Sequence, residues 1–171
     1  MKHERRIIDS QLYVHFITFS IDRRRRQLDH DHARRIFLGW LGECLEQYAA
    51  KCVGFVLMPD HVHLLIWLPT TGQLSRFVHS LKRRSSLGLR EWYRSEADHY
   101  ASKFGEGERF WQPKYFAFEI HQQAKLKEKL TYIHENPVRA GLVTRAIDWK
   151  WSSARWYVMG RTVGVPIEWV E

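Results

Sequence analysis

Cysteine is scarce in this chain. Cys44 and Cys52 are its two cysteines. Two are too few for a disulfide scaffold, and they do not form a CxxC metal or redox motif. Both sit in apolar surroundings and read as small core residues. No run is long and apolar enough to cross a membrane. The N-terminus, MKHERRIIDSQ, is charged and lacks the apolar stretch of a signal peptide. A cytoplasmic protein is expected from these absences. Acidic residues are also in deficit: 19 Asp and Glu face 27 Lys and Arg, a formal net charge of +8. A folded domain this basic is a candidate for polyanion binding, most commonly nucleic acid, but charge alone selects no mechanism.

Apolar residues are plentiful. They make up 44% of the 171 residues, and aromatics make up 14%. This argues for a packed globule rather than disorder. One domain is expected over 1–171, with a core at about 10–145 and a tail over 146–171. No internal repeat or low-complexity segment interrupts it. Leu12 to Ser20 is β-branched and aromatic and reads as a strand. Asp31 to Ala50 has helical spacing through Ile36, Leu38, Leu41 and Leu45, with Asp29 or Asp31 as cap. Lys51–Met58 and His61–Leu68 read as strands joined by a tight Met58-Pro59-Asp60 turn. Gln73 to about Arg94 reads as a helix, and Ser95–Glu108 as a polar loop. Phe110–Ile120 holds a strand interrupted early by Pro113. Gln122–Asn136 reads as a helix, ended by Pro137 and Gly141. Trp149, Trp151, Trp156 and Tyr157 mark an aromatic tail laid back on the body. The order is the split βαβ pattern. The expected fold class is α+β, ferredoxin-like: an antiparallel sheet with helices on one face, plus a C-terminal helix and the tail.

His61 and His63 stand out within the run VLMPDHVHLLIWLP. Side chains alternate along a strand, so both imidazoles share one face and can reach one metal ion. Taken alone, such a pair more often hydrogen-bonds to neighbours or water. A second segment, KLTYIHENPVRAGLV, changes the balance. Tyr132 and Asn136 are four residues apart and share one flank of the last helix, beside a buried stripe of Leu126, Leu130 and Ile133. Singly, Tyr132 reads as a tyrosine at the core boundary and Asn136 as a helix-terminating polar residue. Tyr115 is a competing nucleophile without an amide four residues on, and reads as core or as a base-stacking residue. His134 and Glu135 lie on other faces, and His121 has no assigned role. Arg23, Arg24, Arg25, Arg26, Lys82, Arg83, Arg84 and Arg139 are candidate phosphate contacts, although charge runs are more often solvated faces. The aromatic tail could stack unpaired bases, but packing is the better reading of Trp149 and Trp151.

Together the segments MPDHVHLLIWLP (58–69), RFWQPKYF (109–116), YIHENPVRAGLV (132–143) and DWKWSSARWY (148–157) resemble a known family. The chain looks like the single-tyrosine HUH transposases of insertion sequences, most closely their REP-associated tyrosine transposase branch. The matching segments spread over the middle and C-terminal two-thirds of the chain, and their combination is specific. The resemblance implies a nucleophile at Tyr132 and metal ligands at His61, His63 and Asn136. It implies Mg²⁺ or Mn²⁺ as cofactor and single-stranded DNA with a hairpin as partner, without a membrane and with a monomer or homodimer as the working unit. It also implies a bacterial, nucleoid-associated location. The residue types suit that chemistry. Two imidazoles and an amide oxygen leave coordination sites open for phosphate and water. A structural zinc site would need a fourth ligand that the sequence does not offer. A non-catalytic nucleic-acid-binding module and a metal-dependent hydrolase using water are the other readings of the same features.

Overall fold

The computed structural model describes residue 9 and residues 12–96 and 107–171. Most of the expected 95–108 loop lies outside the described residues. Four strands form one antiparallel sheet: β1 (Val14–Ser20), β2 (Lys51–Leu57), β3 (His61–Trp67) and β4 (Phe116–Ile120), in the order β2-β3-β1-β4. β1 pairs with β3 and with β4, both antiparallel, and β2 pairs with β3. The tight turn between β2 and β3 closes through Met58 N–H donating to His61 O at 2.9 Å. This is the expected ferredoxin-like arrangement, with helices α1 (Asp31–Gln47), α2 (Leu74–Glu96) and α3 (Gln123–Arg139), and a short α4 (Ala154–Met159).

The strand sequences are nearly continuous in apolar residues because both faces are covered. Ile17, Phe19, Phe55, Leu57, Val62, Leu64 and Ile66 face α1 and α2 in the larger core cluster. Val14, Phe16, Val53, Val56 and Leu65 face the other way, against Leu126 and Ile133 of α3. Two helices thus share one face, and the C-terminal helix crosses the opposite one. Gly54 makes that crossing close. A Cβ at Gly54 would lie 2.5 Å from Leu130 Cδ1 and 3.3 Å from Ile133 Cδ1.

Two local expectations are corrected. The cap of α1 is neither Asp29 nor Asp31 but His30, whose Nδ1 accepts from His32 N–H at 3.1 Å. Asp31 is already helical and instead accepts from Lys150 Nζ and Trp151 Nε1, tying the tail to α1. α3 also runs past Asn136 to Arg139, with Pro137 inside it. A proline forfeits one helical hydrogen bond, but Pro137 is buried. Leu142 N–H then closes onto Pro137 O at 2.9 Å, with Gly141 left-handed at φ 72°. Asn136 therefore sits inside the last turn, fixed on its flank.

The tail covers the free edge of β2. Leu57 N–H donates to Trp151 O at 2.8 Å, Ser153 N–H to Phe55 O at 3.0 Å, and Glu168 N–H to Cys52 O at 2.9 Å. Trp149 Nε1 donates to Leu57 O at 3.0 Å, and Trp151 is buried. Packing is thus the role of these two tryptophans, and it shields an edge strand that would otherwise pair with other chains. Both cysteines are free and buried. Burial pushes the Cys52 thiol up to about 12, which leaves it inert.

Candidate active site

The end of the sheet where β1 finishes and β3 begins carries the histidine pair. His61 lies opposite Ser20 and His63 opposite Thr18 in the β1–β3 ladder. The imidazoles share the α3 face, with ring centroids 4.8 Å apart. Each ring is fixed at Nδ1. His61 Nδ1 donates to Asp60 Oδ1 at 2.6 Å. His63 Nδ1 meets Thr18 Oγ1, also at 2.6 Å. Arg24 Nε in turn donates to Asp60 Oδ2 at 2.8 Å, and Arg24 Nη1 to Ser20 Oγ at 2.9 Å. Anchoring at Nδ1 is how metal-binding imidazoles are held for Nε2 coordination. Burial holds both rings neutral, the form that ligates. It lowers His61 below its ordinary value despite Asp60. It pushes His63 down to about 3, with help from His61, Arg139 and Arg24.

α3 delivers the second half of the site. Leu126, Leu130 and Ile133 seat it on the sheet, and this turns Asn136 and Tyr132 toward the histidines. Asn136 Nδ2 donates to His63 Nε2 at 2.9 Å. The Tyr132 ring centroid lies 5.8 Å from that of His63 and 6.2 Å from that of Phe16. Tyr132 is 41% exposed. Two cations flank its ring, Arg139 at 4.5 Å and Lys129 at 5.2 Å. Arg139 is further held by donating to Tyr132 O at 2.6 Å. The four residues singled out from two distant segments therefore converge within one chain. Two imidazole nitrogens and one amide are a donor set that suits a divalent cation with positions left for phosphate and water; an ion on His63 Nε2 would take the place of the Asn136 N–H there.

A family model described as transposase, IS200-like, matches residues 9–136. The chain belongs to the IS200-like transposases. Members of this family cut and rejoin DNA strands, so the protein is an enzyme rather than a passive nucleic-acid-binding module. A REP-associated tyrosine transposase of Haemophilus influenzae is 24% identical over 145 residues, covering 82% of this chain and 78% of that protein. The solved structure of a REP-associated tyrosine transposase bound to a REP hairpin superposes with a TM-score of 0.72 at 21% identity. That match covers 100% of this chain and 92% of the other. A Deinococcus radiodurans transposase structure gives a TM-score of 0.51 at 20% identity, over 79% and 97% of the two chains. These likenesses agree with the branch that the sequence motifs resemble.

The transposase uses its other candidates differently. All four arginines of the run are engaged in ion pairs: Arg23 and Arg25 with Glu108, Arg24 with Asp60, and Arg26 with Asp29. Lys82 donates to Gln112 O at 2.6 Å and Pro113 O at 3.2 Å. Burial lowers its ammonium to about 8. Arg84 lies over Trp40, 6.0 Å from the ring centroid. Arg83 is exposed. Tyr115 is half-buried on the α2 side of the sheet, its hydroxyl 2.9 Å from Ser75 Oγ. It is not in contact with the histidine pair. His134 binds Ser153 Oγ at 2.7 Å, and that hydroxyl also accepts from Phe55 N–H at 3.0 Å. His134 thus pins α3 to the tail and β2. His121 packs edge-on against Tyr13, ring centroids 4.5 Å apart.

Thr18, Asp60 and Arg24 as partners of the histidines escape a reading of sequence alone. Asp60 adjoins His61, and that adjacency is a usable signal. Thr18 is 45 residues from His63, and the cross-strand register alone reveals it. A separate cluster of Asp9, His15 and Glu119 has ligand atoms within 4.8 Å of one another. It lies at the opposite end of β1 and on the α1–α2 face, with Asp9 Oδ2 accepting from Leu74 N–H at the start of α2. It is no part of this site. No helix among the described residues is long and apolar enough to cross a membrane.

Proposed function

We propose that this transposase cleaves and rejoins single-stranded DNA beside a hairpin through a covalent 5′-phosphotyrosine at Tyr132. The observation that carries the reading is the convergence of Tyr132 and Asn136 of α3 on His63, itself beside His61. Tyr132 Oη attacks the scissile phosphorus. The P–O3′ bond breaks, the phenolic proton passes in net to the leaving 3′ oxygen, and the 5′ phosphate stays on the tyrosine. The phosphotyrosyl ester conserves the bond energy, so a 3′ hydroxyl can reverse the step without a nucleotide cofactor. Arg139 and Lys129, close over the ring, offset negative charge as it develops on the phenol oxygen and phosphate. His61, His63 and Asn136 would hold Mg²⁺ or Mn²⁺. The bound ion supplies Lewis acidity toward the phosphate. Asp60 and Thr18 orient the imidazoles.

One tyrosine makes one phosphotyrosine at a time, which suits cutting one strand at a time. The hairpin assignment rests on the resemblance to the REP-associated branch, one solved structure of which is bound to a REP hairpin. The site is complete within one chain, which supports action by a monomer. A location at the bacterial nucleoid follows from the DNA substrate. The test is incubation with Mn²⁺ and matched single- and double-stranded versions of a host palindrome. A covalent adduct on the single-stranded hairpin, absent in Tyr132→Phe, is expected. Preferential cutting of the perfect duplex, or adducts that persist in the Phe variant, overturns the assignment.

A further inference from the structure

Among the cavities outside the Tyr132 site is a cationic groove. It runs between one flank of α2 and the segment 109–115, and it encloses about 280 Å³. His79, Arg83 and Ser86 line it from α2, and Arg109, Pro113 and Tyr115 line it from the facing segment. Lys82 and Arg90 staple the two walls together. Lys82 donates to Gln112 O and Pro113 O, and Arg90 to Glu108 O. Phe110 and Trp111, buried at 1% and 5% exposure, form the floor. No carboxylate lines the groove. Glu108, the nearest acid in sequence, is held by Arg23 and Arg25. Arg83 and Arg109 are exposed, and neither forms an ion pair with a carboxylate among the described residues.

The groove is joined to the catalytic end of the sheet. Gln112 N–H donates to Ser20 O at 2.9 Å, and Asp22 N–H donates to Phe110 O at 2.8 Å. Ser20 is the β1 residue opposite His61. From His61 across Ser20 to Gln112 is two strand spacings, about 10 Å. The groove opens on the α2 side and the histidines on the α3 side, so a flexible chain rounding that short edge reaches both, whereas a stiff duplex does not.

We infer that this groove is a second nucleic-acid subsite, holding unpaired nucleotides of the strand that enters the Tyr132 site. Arg83 and Arg109 contact phosphates from opposite walls, and the exposed part of the Tyr115 ring offers a stacking face. Cationic walls with an aromatic side chain are what a single strand requires. The inference rests on the reading of the chain as a single-strand transposase, but its test does not depend on Tyr132 chemistry.

Fluorescence anisotropy in EDTA, where no cleavage occurs, would compare fluorescein-labelled (dT)12 with a blunt-ended DNA hairpin across a salt series. Removing two phosphate contacts from a single strand makes the log–log salt slope shallower by about 1.4 and weakens binding about tenfold. The variant is Arg83→Ala/Arg109→Ala; both side chains are exposed, and a thermal melt confirms folding. The expected result is that loss on (dT)12 with hairpin affinity within about twofold of the parent. Equal weakening on both probes makes the two arginines part of a diffuse positive field and overturns the subsite. Unchanged (dT)12 binding, or no binding of (dT)12 by the parent, also overturns it. Either failure leaves the Tyr132 adduct assay untouched.

Discussion

Thr18→Val is the sharpest probe of the metal reading, because it removes one oxygen while keeping the shape of the side chain. Valine suits a strand, so the backbone of β1 has no reason to move. The hydroxyl lost is the partner of His63 Nδ1 at 2.6 Å. His63 is 6% exposed, so water does not readily replace it. The lost bond and the stranded ring nitrogen cost about 1–3 kcal/mol of stability. The effect on metal has a separate magnitude. Loss of a partner that orients a ligating imidazole costs about 10–100-fold in affinity, equivalent to about 1.4–2.7 kcal/mol. Calorimetric titration with Mn²⁺ measures the second quantity, and urea unfolding in EDTA measures the first. Adduct yield against Mn²⁺ concentration should shift its midpoint by the same 10–100-fold, and Thr18→Ser should restore it. If stability falls but Mn²⁺ affinity does not, packing against Phe16 and Tyr132 suffices to orient the ring, and Thr18 is a strand residue with no part in metal binding.

Replacing either His61 or His63 with Ala should abolish cleavage and weaken Mn²⁺ binding, with Asn136→Ala less severe because a neutral amide is the weakest of the three ligands; unchanged calorimetry in the double His variant would remove the metal assignment. Asp60→Asn keeps the size of the side chain but weakens its grip on His61 and Arg24, so it should raise the Mn²⁺ midpoint without changing the fold by circular dichroism. Gly54→Val should push α3 off the sheet through Leu130 and Ile133, lowering adduct formation at saturating Mn²⁺ more than it lowers hairpin binding. Burial pushes His134 down to about 4. Its unfolded form therefore binds more protons between about pH 6.5 and 4, and stability falls as pH drops through that window, by up to about 3 kcal/mol. His134→Gln should flatten that part of an acid titration of urea stability.

The sequence exposed the parts of this molecule that are periodic or covalently close. Strands β1 to β3 could be read because their apolar runs are bounded by turn residues. The shared face of His61 and His63 follows from alternation alone, and the shared flank of Tyr132 and Asn136 from helical spacing. What could not be read depends on contacts between segments. His30 displaced two aspartates as the α1 cap because Asp31 is drawn to Lys150 and Trp151, more than a hundred residues away. α3 outran its proline because Pro137 is buried and the following carbonyls are closed by Ala140, Gly141 and Leu142. Packing is the better sequence reading of Trp149 and Trp151, but nothing in the sequence names the surface they pack on. That surface is the unpaired edge of β2, which needed a cover.

The same logic explains why catalysis and stability are hard to separate in this chain. α3 carries both Tyr132 and Asn136, yet little of its anchorage comes from them. Leu126 and Ile133 seat it on the sheet, and His134 binds Ser153, which in turn receives Phe55 N–H. The tail thus reaches the Tyr132 site through β2, without touching the histidine pair. Ser153→Ala would break the link at its centre, leaving two buried groups, Phe55 N–H and the His134 ring, without their shared partner. Each stranded group costs about 1–3 kcal/mol, so the variant should lose roughly 2–6 kcal/mol in urea unfolding. If α3 is then free to shift, adduct formation at saturating Mn²⁺ should fall more than tenfold even under conditions where the variant is fully folded. If instead the folded variant forms adducts at the parent rate, the sheet contacts of Leu126, Leu130 and Ile133 suffice to place Tyr132, and the tail stabilises the domain without steering its chemistry.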